Sequence, residues 1–206
     1  MRIRWPDKAP TKAALWRFSD RLKMLYSDWN KHKGRQWRDA EHIVIRTPEK
    51  STHGLDDSSL FFDWLFGYTS EDVCLVLSRD QMCCVCACKH SRKPEITLEA
   101  SFFHYFAEAK GLVDADFIIK DKSSGWKLEH ALKKFLAEYR ESTGNRKKSR
   151  VGDHVPTVKW KKYGTSEDGC RKKLIVGFIG DWVTEEVQGI EFREVTDAFF
   201  RLAKIK

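Results

Sequence analysis

The sequence predicts an α/β protein, a β-sheet with helices on both faces. Three observations carry this. Short β-branched or apolar runs lie at His42–Ile45, Val73–Ser78, Met82–Lys89, Phe117–Ile119 and Lys172–Ile179. Between several of them lie stretches whose apolar residues recur at helical three- and four-residue spacing. The run Met82–Lys89 is apolar at both odd and even positions, as in a central strand covered on both sides.

Each element follows from local chemistry. Residues 10–33 read as a helix, with Pro10 in its first turn and Gly34 as its stop. Leu15, Phe18, Leu22, Leu25, Tyr26 and Trp29 make its apolar stripe, and Lys12, Arg17, Arg21, Lys23 and Lys31 occupy the remaining faces. The stretch from Thr47 to Asp57 mixes Pro, Gly, Ser, Thr and Asp and reads as a loop. Ser58 or Ser59 then caps a short helix that ends near Gly67. Two strands, Val73–Ser78 and Met82–Lys89, flank Arg79-Asp80 as a hairpin. Helices follow over 99–110 and 124–142, the latter with Glu129 and Lys133 as an i,i+4 pair. A final helix carries Phe192, Val195, Phe199 and Leu202. The 52 residues after His154 extend the same fold, so 1–206 reads as a single domain with a basic, insertion-like segment near 144–173.

Composition limits the function classes. A chain of 206 residues with 41% hydrophobic side chains, 8 Trp and 13 Phe is suited to a packed core rather than to disorder. Its apolar runs fall short of the ~20 residues needed to span a bilayer, and MRIRWPDKAP lacks the apolar centre of a secretory signal. These features read as soluble and intracellular. The formal charge of +8 is unevenly spread. Residues 1–38 hold 11 basic and 3 acidic side chains, and residues 144–173 hold 10 and 3, so the remainder is net acidic.

Candidate chemistry begins with Cys83-Cys84-Val85-Cys86-Ala87-Cys88-Lys89-His90. Same-side residues on a strand lie ~6.5–7 Å apart. Tetrahedral zinc at ~2.3 Å from each sulfur requires the sulfurs to converge to about 3.8 Å. One straight strand cannot supply four such ligands, so these thiols read as core residues in a reducing compartment and no metal is expected. Cys170, beside Arg171-Lys172-Lys173, is the one thiol in an electropositive setting, but no catalytic partner His or Asp is apparent for it, and it reads as an incidental loop cysteine. The Glu108-x-Lys110 pair has the spelling of some nuclease motifs and reads as surface charge. Phosphate-binding Gly-rich loops, G-x-S-x-G and H-E-x-x-H are absent from the sequence. The expectation is therefore no catalytic residues and no cofactor.

The basic segments offer a nucleic-acid reading. Arg146, Lys147, Lys148, Arg150, Lys159, Lys161, Lys162, Arg171, Lys172 and Lys173 are candidates to neutralise phosphates, with Trp160 or Tyr163 to stack on bases. The N-terminal segment repeats the mixture with Arg2, Arg4 and Trp5, then Lys31, Lys33, Arg35, Trp37 and Arg38. Alternation of Trp160 with Lys159 and Lys161 also fits a core-facing Trp beneath a solvated basic loop.

The order of elements resembles a known family. Phe18, Arg21, Leu22, Leu25, Tyr26 and Trp29 precede the strand Ile43-Val44-Ile45. Ser58-Ser59-Leu60, Trp64-Leu65-Phe66-Gly67-Tyr68 and the 73–89 hairpin follow. Over residues 15–142 this resembles the N-terminal lobe of the large subunit of FACT, the eukaryotic histone chaperone. That lobe is similar to the N-terminal domain of creatinase and prolidase-type peptidases, so the resemblance implies a mixed sheet and no chemistry of its own. It further implies a nuclear, chromosomal binding module. Its partners would be histones or nucleosomes, the other FACT subunit, and replication or transcription proteins. A basic partner would need acidic residues, for which Asp56, Asp57, Asp63, Glu71 and Asp72 are the candidates. Two alternatives stand beside this: a nucleic-acid-binding protein using the basic segments, and the accessory lobe of a metallopeptidase.

Overall fold

The computed structural model describes residues 9–48, 56–69, 73–88, 97–121, 173–180 and 190–205. Six strands form one mixed sheet: β1 (His42–Arg46), β2 (Val73–Leu77), β3 (Gln81–Cys88), β4 (Asp114–Asp121), β5 (Leu174–Ile179) and β6 (Ile190–Glu194). Their spatial order is β4-β3-β2-β1-β5-β6. The β1/β2 and β2/β3 pairs are antiparallel, whereas β3/β4, β1/β5 and β5/β6 are parallel. The β2–β3 connection is the expected hairpin, closed by Ser78 N–H donating to the Gln81 carbonyl at 2.9 Å. The β3-to-β4 connection carries a helix, as a parallel crossover requires.

Register decides what each strand buries. Pairing of Ile43 with Leu77, Ile45 with Leu75 and Leu75 with Cys84 lines up one apolar face. Over that face lie four helices: α1 (Lys12–His32), α2 (Asp57–Phe66), α3 (Thr97–Ala109) and α4 (Thr196–Ala203). Phe18, Leu22 and Trp29 of α1, Phe61 and Leu65 of α2, Phe102 and Tyr105 of α3 and Phe199 of α4 join Ile43, Leu75 and Met82 in one buried cluster. Ring contacts lock the helices together. Phe18 stacks on Phe66 at 5.3 Å and meets Tyr105 edge-on at 5.1 Å, while Phe61 and Phe199 are 5.0 Å apart. The opposite face, with Val44, Cys74, Val76, Cys83 and Val176, is buried as well. Over Met82–Cys84, β3 thus has both of its sides covered. The helix expected over 124–142 lies outside the described residues.

Three sequence expectations are corrected. First, α1 begins two residues later than expected, at Lys12: Thr11 is its N-cap, its side chain accepting from Ala14 N–H, and Pro10 precedes the cap. Second, α2 is capped by Asp56 and not by a serine. Ser59 instead donates to the Asp56 carboxylate, and Ser58 Oγ donates to the Ile179 carbonyl at 3.0 Å, tying α2 to the end of β5. That junction needs Gly180, whose φ is +85° and whose position would bring a Cβ to 2.3 Å from Ser58 Oγ. Third, Phe192 belongs to β6 and not to the last helix, which starts at Thr196. The strand continues β5 in parallel, and Val195 N–H donates to the Phe178 carbonyl before α4 begins.

Candidate functional site

The described side chains that most resemble chemistry are built into the core. Cys83 and Cys84 alternate across β3, so one faces each side of the sheet, and Cys74 lies on the neighbouring strand. All three are buried. Burial, and next the neighbouring Cys83, push the Cys74 thiol up to about 12, which removes its nucleophilic form at neutral pH. Among the described residues there is no group of three His, Cys, Asp or Glu placed to hold a metal ion. Cys170 lies outside them. His42 is 1% exposed on β1, and burial, with a lesser contribution from Lys33, lowers its pKa to about 4. Tyr26 donates to the Gln81 carbonyl at 2.9 Å and Tyr105 to the Phe66 carbonyl at 2.8 Å. Burial raises both phenols, so they act as neutral ties across the core.

The acidic candidates divide by role. Asp56 is half-buried and occupied: Oδ1 accepts from Ser59 N–H at 2.7 Å and Oδ2 from Ser59 Oγ at 3.1 Å. Asp57 is half-buried in the first turn of α2, where a carboxylate complements the helix dipole. Asp63 is exposed. Asp57 and Asp63 are six residues apart and so lie about 120° apart around the helix. The structure therefore does not gather these three on one ridge. Glu71 and Asp72 fall outside the described residues.

Among the basic candidates, Lys173 is exposed immediately before β5. Arg146, Lys147, Lys148, Arg150, Lys159, Lys161, Lys162, Arg171 and Lys172 lie outside the described residues, as do Trp160 and Tyr163. In the N-terminal segment, Lys12, Arg17, Lys23, Lys31, Arg35 and Arg38 are exposed. Arg21 is turned inward, donating to the Trp64 carbonyl with its guanidinium 5.8 Å from that indole. Trp37 is core and not a stacking platform: it is 0% exposed and donates Nε1–H to Asp28 at 2.9 Å. The same carboxylate accepts from Arg201 at 2.7 Å, joining the end of α1 to α4. The aromatic and sulfur side chains that do reach solvent were not singled out from the sequence: Trp16 is 67%, Phe103 69% and Met24 47% exposed. For Trp16 the signal was available, because it lies two residues from Phe18 and hence about 200° around α1 from the buried stripe.

Comparison with known proteins bears on this arrangement. Residues 15–101 match the family described as the FACT complex subunit SPT16 N-terminal lobe domain. The chain is 31% identical over 93 residues to the FACT complex subunit SPT16 of Arabidopsis thaliana, covering 40% of this chain and 8% of that protein. It is 36% identical over 70 residues to the FACT complex subunit SPT16 of Zea mays, covering 32% of this chain and 6% of that protein. The chain thus spans under a tenth of these relatives' length. A solved structure, the N-terminal domain of FACT complex subunit SPT16 from Eremothecium gossypii, shares the fold with a TM-score of 0.56 at 13% identity, covering 91% of this chain and 37% of that one. The match starts in α1, takes in β1, α2 and the β2–β3 hairpin, and ends in α3. Residues 15–101 are thus similar to the N-terminal lobe of the FACT large subunit.

Proposed function

We propose that this chain is a non-catalytic binding module of a FACT-type histone-chaperone subunit, working at chromatin in the nucleus. The observation that carries the reading is the family match over 15–101, which takes in most of α1, all of α2, the start of α3 and three strands of the sheet. The placement of the described thiols and His42 supports it, since they serve packing. Partners of this module are histones or nucleosomes, the companion FACT subunit, and proteins of replication and transcription. A basic histone would meet Asp57 and Asp63, with Glu71 and Asp72 nearby in sequence; Asp56 drops out because it caps α2.

The test is a pull-down in which the full chain is offered core histones and, separately, a nuclear extract. Recovery of histones or of known chromatin proteins is expected. Recovery of neither overturns the reading. A second reading, phosphate binding through the basic segments, is favoured by the exposed lysines and arginines of residues 12–38 together with Lys173. It predicts retention of random-sequence duplex DNA that weakens steeply as salt rises, because bound counterions are released.

A further inference from the structure

One line of α1 faces solvent along its whole length. Lys12, Trp16, Asp20, Lys23, Met24 and Lys31 are all exposed and recur at four-, four-, three-, one- and seven-residue intervals. This line is opposite the buried Phe18, Leu22, Leu25 and Trp29. Trp16 and Met24 are eight residues apart, which sets their Cα atoms about 12 Å apart along the axis. The inner side of α1 is fixed by its core stripe, by Arg21 on Trp64 and by the Asp28–Arg201 pair. The ridge is therefore presented ready-formed, which lowers the ordering cost of binding.

We infer that this ridge of α1 docks an acidic amphipathic peptide segment of a partner protein. The segment's apolar side chains pack on Trp16 and Met24, and its carboxylates meet Lys12, Lys23 and Lys31. Charge selects this occupant. The ridge carries three lysines and one carboxylate, Asp20, which already lies 4.0 Å from Lys23. Arg17 adds a further exposed positive charge beside it. A basic histone segment is repelled here. Duplex DNA would satisfy the lysines, but its outer surface of phosphates is a poor match for Trp16 and Met24 and sets a phosphate against Asp20. An acidic peptide with two apolar side chains matches both properties. The inference stands apart from histone binding at α2, so either can fail alone.

The experiment uses the full chain and a fluorescein-labelled synthetic helical peptide with leucines eight residues apart on a glutamate-rich background. Fluorescence anisotropy at low ionic strength is expected to show saturable binding. Trp16→Ser should weaken it about thirtyfold, as expected for a central aromatic anchor. The Lys12→Glu, Lys23→Glu double variant should weaken it at least about tenfold. Both variants should melt like the parent chain, since the altered side chains are exposed. Replacing the peptide's glutamates by glutamine should abolish binding. Absence of saturable binding, or an affinity that Trp16→Ser leaves unchanged, overturns the inference. So does a duplex DNA that binds more tightly than the peptide and loses affinity with Trp16→Ser.

Discussion

His42 shows how a single residue couples the fold to pH. It opens β1, pairs in register with Val176 of β5, and is held neutral mainly by burial. Its pKa is about 4 in the folded chain, below the ordinary 6.5, so between these values the unfolded state binds more protons. Its contribution is fully present above pH 6.5 and is lost as pH falls toward 4. The shift corresponds to about 3 kcal/mol over that window. Urea unfolding from pH 7 to pH 4 should show the parent chain losing more stability than His42→Asn, with the difference between them shrinking as pH falls. A difference that does not change with pH would contradict this account. Residue-scale reading of the sequence succeeded where geometry was strict. The alternation expected along β3 is the alternation that puts Cys83 and Cys84 on opposite faces. It failed for the tryptophans, because Trp37 lies in the turn after α1, where no period assigns a side. Its burial depends on Asp28, nine residues earlier.

At the scale of elements, α2 separates a structural carboxylate, Asp56, from the two proposed for binding, Asp57 and Asp63. Asp56→Ala removes the cap and should cost about 1 kcal/mol of stability in chemical denaturation. Its effect on partner binding should be small once the variant is folded. Unchanged stability with lost binding would reverse that assignment. The helical stripe of α1, the β2–β3 hairpin and the apolar run of β1 were all legible, since burial on a fixed face imposes its period on the sequence. β4 proved longer than Phe117–Ile119, running from Asp114 to Asp121, because its ends are set by pairing with all eight residues of β3. The error at Phe192 has a similar origin. Phe192, Val195, Phe199 and Leu202 are spaced like a helix face, but Ile190–Glu194 pairs with β5, a partner distant in the sequence. Local spacing carries no record of such pairing.

For the whole molecule, the proposed function raises the question of how a chain of net charge +8 would serve a histone chaperone. The answer lies in the distribution. The outer ridge of α1 is basic and apolar, while Asp57 and Asp63 lie on α2. Under the two proposals, one lobe would hold an acidic protein segment and a basic histone on separate elements. The fold class and the family likeness were readable from the order of elements, because each strand and helix buries its own apolar set. The binding surfaces were less so, because exposure is decided by which helices meet, as the outward Trp16 and the cap role of Asp56 show. Calorimetric titration of the full chain with each of the two core histone pairs, beside the Asp57→Lys, Asp63→Lys double variant, tests the central claim most directly. The account predicts saturable binding of at least one histone pair by the parent chain, weakened by at least about tenfold in the variant. No saturable binding of either pair by the parent chain would contradict it.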